Sequence, residues 1–265
     1  MNGFGELMSA TGDILGIEGL EPDAGGVCVL TSEEAELLII DCPEAGDMVL
    51  ITATLMPVPN GGGSLAAALK ANDRFKATRG GTISLECEND RLALSRYVPI
   101  GGLTPDSLVA LLEEFTSALL ALRAALPGEV GQGESWEVAN SEPKPESVQT
   151  VDADGLTVEL AQYADCTLAS AGLGEAPADD TALWRELLEA NHLFAGTAGA
   201  TLSLGADGER VFLQQKLYPQ EGDDNGLARQ LAVFAGCARE WKARLGGAQA
   251  PSESIDLLSS GFMQV

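Results

Sequence analysis

The sequence predicts a duplicated helix-and-strand fold. Two tandem units follow one order, α-β-β-β-α-β-β-α, and the second lacks its first helix. Three observations predict this. Leu108, Leu112, Phe115, Leu119, Leu122 and Leu126 recur at spacings of 4, 3, 4, 3 and 4. That spacing lays one apolar stripe on a helix about 34 Å long at about 1.5 Å per residue. The same stripe returns 119 residues later as Leu227, Leu231, Phe234, Ala238, Trp241 and Leu245. The register then runs upstream without a gap. Leu69-Lys70-Ala71-Asn72 faces Leu188-Glu189-Ala190-Asn191, Phe75 faces Phe194, and Thr78 faces Thr197. Thr82-Ile83-Ser84-Leu85 faces Thr201-Leu202-Ser203-Leu204, Arg91 faces Arg210, and Leu94 faces Leu213. About a quarter of the positions from 65 to 126 are identical to their counterparts. Amphipathic helices look alike, so one shared stripe says little. A shared helix, hairpin and helix in one register says duplication.

Residues 3–16 place Phe4, Leu7, Met8, Ile14 and Leu15 on a short helix that Gly16 ends. Residues 27–31 and 36–41 read as strands, and Met48 to Met56 as a third, rich in β-branched side chains. Pro57, Pro59 and Gly61-Gly62-Gly63 stop it, and Ser64 offers a cap to a helix from Leu65 to Asn72. Residues 82–87 and 91–98 form a hairpin. The helix 104–126 then starts on Thr104-Pro105-Asp106: a capping hydroxyl, a proline at the first helical position and an acid in the first turn. The first unit spans 1–127. Gly128, Gly131, Gly133, Pro143 and Pro145 among acids mark 128–147 as a linker.

The second unit, 148–250, begins with strands. At the same offset, Val148 and Thr150 match Val29 and Thr31, and Leu156 matches Leu37. Asp152-Ala153-Asp154-Gly155 is a turn, and 166–172 the third strand. Asp179 or Asp180 caps a helix reaching about Asn191. Asp207-Gly208 turns the hairpin, and a helix over 225–245, with caps in Asp223-Asp224-Asn225, ends at Gly246-Gly247. The end of the preceding long helix occupies the positions where the first helix would recur. The tail, 251–265, carries Ile255, Leu257, Leu258, Phe262 and Met263; it is either a frayed terminus or a cover for the place of the missing helix.

Forty acids against fifteen bases give a net charge of −25, and no base precedes Lys70. Nucleic-acid and anionic-membrane binding both draw on Lys and Arg, so neither is expected. No signal-peptide pattern opens the chain, and no apolar run is long enough to span a bilayer. Cys28, Cys42, Cys87, Cys166 and Cys237 are scattered and form no CxxC pair; they read as small core residues in a reducing cytoplasm. His192, the single histidine, ends a helix, and its duplicate position is Asp73, so it reads as structural. No metal-ligand spacing, dinucleotide fingerprint or Walker loop occurs, and Gly61-Gly62-Gly63-Ser64 lacks the lysine of a phosphate loop. No cofactor, metal or catalytic residue is expected, and the chain is read as a non-enzyme.

One resemblance follows from the second unit. Leu187-Leu188-Glu189-Ala190-Asn191, Thr201 to Leu204, Asp207-Gly208, Val211 to Gln214, then Leu231, Phe234, Ala238 and Trp241 resemble the class I type III secretion chaperones, the Tir-chaperone or CesT-like family. In the first unit Leu69, Asn72, Leu85, Leu94 and Phe115 fit, but Leu122 stands where Trp241 stands. The resemblance implies an α+β fold with helices on antiparallel sheets. It also implies a cytoplasmic chaperone that holds a secreted effector segment in extended form before export. Such proteins usually pair as homodimers; a tandem suggests an intramolecular pseudo-dimer, monomeric in solution.

A sheet edge can accept a partner strand through main-chain hydrogen bonds, with pockets beside it for alternate side chains. The hairpin strands offer two faces. One carries Leu92, Leu94 and Val98 with Val211, Leu213 and Leu217; the other carries Ala93, Ser95 and Tyr97 with Phe212, Gln214 and Lys216. The first face also suits ordinary core; if it is core, Tyr97 and Phe212 become the aromatic anchors. Two other functions stay open: a regulatory module binding a folded partner, and a small-molecule binder with a polar cleft between the units.

Overall fold

The computed structural model describes residues 3–45, 47–58, 62–126, 144–153, 155–177, 180–218 and 225–246. The first half runs α1 (Phe4–Leu15), β1 (Val27–Thr31), β2 (Glu36–Cys42), β3 (Met48–Pro57), α2 (Gly62–Ala71), β4 (Thr82–Glu86), β5 (Arg91–Pro99) and α3 (Pro105–Ala125). The second runs β6 (Ser147–Ala153), β7 (Leu156–Gln162), β8 (Thr167–Glu175), α4 (Thr181–Ala190), β9 (Thr201–Leu204), β10 (Arg210–Leu217) and α5 (Gly226–Leu245). Short 3₁₀ turns at Pro43–Ala45, Asp73–Phe75 and His192–Phe194 are additions to the expected elements. Most of the expected linker and the whole tail, 251–265, lie outside the described residues; β6 begins at Ser147, the last expected linker position.

Both sheets are antiparallel and share one strand order: β1-β2-β3-β5-β4 and β6-β7-β8-β10-β9. They also share an irregularity. Leu55 is skipped in the pairing of β3 with β5, and Leu173 in that of β8 with β10. A bulge bends and twists its strand, so an identical bulge in each half is a structural trace of the duplication.

The structure shifts the register of the first hairpin. Val27, Ile40, Leu50 and Tyr97 stand in one cross-strand row. Val148, Ala161, Leu168 and Lys216 stand in the matching row. Tyr97 and Lys216 keep the 119-residue offset, so Val148 corresponds to Val27 rather than Val29, and Leu37 to Val158 rather than Leu156. Turn length is the cause. Val27 to Ile40 and Val148 to Ala161 both span 13 residues, so the change lies in the next turn: Ile40 to Leu50 spans ten residues and Ala161 to Leu168 seven.

Local chemistry sets the helix ends. Gly16 closes α1 in the left-handed region, φ 71°. Thr104 caps α3 reciprocally: its hydroxyl accepts from the Ser107 N–H at 3.2 Å, while Ser107 Oγ accepts from the Thr104 N–H at 2.8 Å. Asp180 caps α4 by accepting from the Leu183 N–H at 3.0 Å, while Asp179 lies outside the described residues. Ser64 is no cap: α2 starts two residues earlier and buries it. Asn225 stands at the start of α5 without a side-chain capping bond. Every member of the α3 stripe is buried, with Phe115 1% exposed. Cys28, Cys42, Cys166 and Cys237 are buried as expected, but Cys87 is exposed.

Candidate functional site

The site is defined by which sheet edges the fold closes and which it leaves open. Asn72 follows α2 and is fully buried. Its Oδ1 accepts from the Ile83 N–H at 2.6 Å, and its Nδ2 donates to the Ile83 carbonyl at 2.9 Å. One amide side chain thus satisfies both main-chain groups that Ile83 turns away from β5, as a further strand would. Nδ2 also reaches the Leu202 carbonyl of β9 at 3.4 Å. Asn191 mirrors it. It accepts from the Leu202 N–H at 2.7 Å, donates to the Leu202 carbonyl at 2.9 Å, and crosses to the Ile83 carbonyl at 3.4 Å. Between them Thr82 and Thr201 join hydroxyl to hydroxyl at 2.6 Å. Helix α4 packs on β4 and α2 on β9. The two units therefore pair about a pseudo-twofold axis, and β4 and β9 are closed to any further strand.

Two strained turns complete the clasp. Arg74 and Phe75 adopt φ values of 52° and 59°; Leu193 and Phe194 adopt 47° and 60°. The turns push each phenylalanine onto the opposite unit. Phe194 packs with Cys42 and Leu50, its ring centroid 4.8 Å from that of Tyr97. Phe75 packs with Ala161 and Leu168, beneath the Lys216 ammonium at 5.7 Å.

These contacts place each expected binding residue. Leu92, Leu94, Val98, Val211, Leu213 and Leu217 are core side chains, none more than 7% exposed. The opposite face is largely occupied by the clasp. Ala93 and Ser95 are buried, and Ser95 bonds to Thr52 at 2.8 Å. Gln214 is buried; its amide donates to Asp73 at 3.0 Å and its carbonyl accepts from the Arg74 N–H at 2.8 Å. Lys216 is pushed below the usual lysine range by burial first and by Arg96 second. Tyr97 is half-buried against Phe194, and Phe212 is half-buried on the outer side of β10.

The open edges are β1 and β6. Each has a single strand neighbour, β2 and β7 respectively. Each exposes a valine: Val29 is 51% exposed and Val148 54%. Sequence reasoning that followed the hairpin strands passed over them. The signal was available, because the first strand of a meander has a neighbour on one side only.

The remaining chemistry is muted. Burial pushes the Cys28 and Cys166 thiols up to about 11 and Cys237 to about 12, away from thiolate reactivity. Burial lowers the His192 pKa, and its Nδ1 has no partner. No group of His, Cys, Asp and Glu among the described residues could hold a metal. An open cleft of about 290 Å³ between the units touches Arg96, Ser107, Tyr218 and one acid, Asp165. No helix of the described residues is long and apolar enough to cross a membrane.

Residues 7–123 and 147–242 both match the model of the Tir chaperone protein (CesT) family. The chain belongs to that family. The CesT match falls once on each half, as the duplicated sheets do. Among solved structures, a chain of the ExsC-ExsE complex is similar at 16% identity over 46% of this chain and 92% of that one, TM-score 0.41. A chain of the HopA1-SchA chaperone-effector complex is similar at 18% identity over 46% and 90%, TM-score 0.37. A chain of the heterodimeric ExoU-SpcU complex from the type III secretion system of Pseudomonas aeruginosa is similar at 19% identity over 45% and 96%, TM-score 0.36. No curated protein matches the chain.

Proposed function

We propose that this CesT-family chain is a cytoplasmic type III secretion chaperone that holds a segment of a secreted effector in extended form before export. It works without catalysis or a cofactor. One chain supplies both units, residues 1–127 and 148–250, and acts as a monomer. One observation carries the reading: the fold closes β4 and β9 with buried asparagines and leaves β1 and β6 with a strand neighbour on one side only. An extended guest gains main-chain hydrogen bonds only where a strand edge is free. Beside the β1 edge the half-buried Val27 and Ile40 offer an apolar surface to alternate guest side chains. The net charge of −25 keeps the loaded complex soluble and favours a basic guest.

The test is co-expression with the secreted protein encoded beside this gene, followed by limited proteolysis of the complex. One guest segment should be protected while the remainder of that region stays cleavable. Val29→Asp and Val148→Asp should each weaken binding by about tenfold, since a charge beside a paired strand is left partly desolvated. Both valines are more than half exposed, so the free chain should melt unchanged. Binding that ignores both substitutions, or a guest that is globular and protease-resistant when bound, contradicts the proposal; the second outcome favours a regulatory module.

A further inference from the structure

Alternate residues of an edge strand turn their main-chain groups outward, and only those residues can pair with a guest. Beside β1, the Asp41 N–H donates to the Gly26 carbonyl at 3.0 Å and the Ser32 N–H to the Ala35 carbonyl at 2.8 Å. Alternation between these two bonds turns Cys28 and Leu30 toward β2, and Val27, Val29 and Thr31 outward. At the β7–β8 turn the Tyr163 N–H donates to the Cys166 carbonyl at 2.8 Å, so Glu159 and Ala161 bond to β8 while Val158 and Leu160 bond to β6. Their partners on β6 are Val151 and Gln149, which leaves Val148, Thr150 and Asp152 facing outward.

The two outward rows are not equally free. Asp23 satisfies both outward groups of Val27: its Oδ1 accepts from the Val27 N–H at 2.9 Å, and its own N–H donates to the Val27 carbonyl at 2.9 Å. Asn72 does the same for Ile83 with its side chain alone. The carboxylate is held in place, because Oδ1 also accepts from the Gly25 N–H at 2.8 Å, in a turn that ends on Gly26 at φ 75°. Exposure agrees: Val27 is half-buried, and Val29 is the exposed valine of β1. Strand β6 has no such stop. The offset that relates Val27 to Val148 puts Lys144 in the place of Asp23. An ammonium has no lone pair with which to accept from a main-chain N–H. Among the described residues no hydrogen bond reaches the outward main-chain groups of Val148, Thr150 or Asp152, nor those of Val29 and Thr31. Val148 is accordingly the exposed valine of β6.

We propose that Asp23 is a register stop: an extended guest strand pairs on β1 with Val29 and Thr31 and no further, but on β6 with Val148, Thr150 and Asp152. The inference rests on the chaperone reading above and fixes how much of a guest each edge takes, so the two units bind unequal lengths. Amide exchange, read residue by residue in the full chain, tests it with and without the co-expressed secreted protein. In the free chain Val27 should exchange about tenfold more slowly than Val29. In the complex Val29, Thr31, Val148, Thr150 and Asp152 should each slow by about tenfold, and Val27 should not change. Asp23→Ala removes the acceptor and loosens the turn, so Val27 should exchange faster in the free chain and gain protection from the guest. Asp23→Asn keeps an accepting oxygen and should behave as the unsubstituted chain. Val27 exchanging as fast as Val29 in the free chain overturns the proposal without any guest. A guest that slows Val27 in the unsubstituted chain, or Asp23→Ala with no new protection there, also overturns it and leaves the chaperone reading standing. A guest that fails to bind, or binds and protects neither edge, overturns both.

Discussion

Phe75 and Phe194 stand 119 residues apart, sit on the same strained turn and reach for the same place on the opposite sheet, yet each meets a different surface. Phe194 meets Tyr97, Leu50 and Cys42, with Ile40 and Met48 around them. Phe75 meets Lys216, Ala161 and Leu168, with Tyr163 beside them. Tyr97 and Lys216 are themselves counterparts, so one clasp is aromatic on aromatic and the other is cation on aromatic. On the axis the polar contacts have not diverged: Thr82 meets Thr201, and Asn72 and Asn191 exchange the same bonds. A contact on a twofold axis joins a residue to its own copy, so a change there is felt by both partners at once. Away from the axis a homodimer must still use one residue in both contacts. A duplicated chain is free of that constraint, and it has diverged there.

The comparison can be broken at several strengths. Asn72→Ala together with Asn191→Ala should be the most severe, because it strips both buried partners from Ile83 and from Leu202. At about 1–3 kcal/mol for each unsatisfied buried group, the loss approaches the whole stability of a domain. Expression should shift to the insoluble fraction, and either single change should lower the urea midpoint strongly. Next, Phe194→Ala should cost about 4 kcal/mol and Phe75→Ala about 3 kcal/mol, because the first leaves the larger apolar cavity. Urea melts that rank them in the opposite order would contradict the asymmetry. Exchanging the off-axis partners should act in opposite directions. Tyr97→Lys places a second amine in an apolar setting and should cost about 2 kcal/mol. Lys216→Tyr removes a buried amine and restores an aromatic pair, for a gain of about 1 kcal/mol. The smallest effect belongs to His192, whose counterpart is Asp73. Burial holds its pKa below 6.5, so below that value the unfolded chain takes up a proton that the folded chain resists. Stability should therefore fall as pH drops from 6.5, and the fall should be shallower in His192→Asn when melts at pH 7 and pH 5 are compared.

Much of this architecture was legible because duplication doubles the signal. A helix stripe, a hairpin and a Leu-x-Ala-Asn run in one register identify the repeated unit without a template. The structure departs where a turn changed length: Ala161 to Leu168 is three residues shorter than Ile40 to Leu50, and Val148 stands where Val27 does. Periodicity cannot see that, since a shift of two keeps every side chain on its face. The binding residues were harder to read. Alternation assigns Leu94 and Ser95 to opposite faces, but it does not say that a second sheet's turn covers the outer one. Asn72 was visible as a repeated residue; its role needed the position of the Ile83 main chain, which no local pattern carries. The open edges follow from strand order alone, and strand order follows from the meander.

The central claim is that the two halves of one chain pair with each other and leave no clasp for a second chain. Mass measurement by light scattering, across a hundredfold range of concentration in the absence of guest, tests it most directly. The account predicts a single species at the mass of one chain, 27.5 kDa, at every concentration. A concentration-dependent dimer that dissociates when Phe75 and Phe194 are both replaced by alanine would show the clasps joining separate chains, and would contradict it.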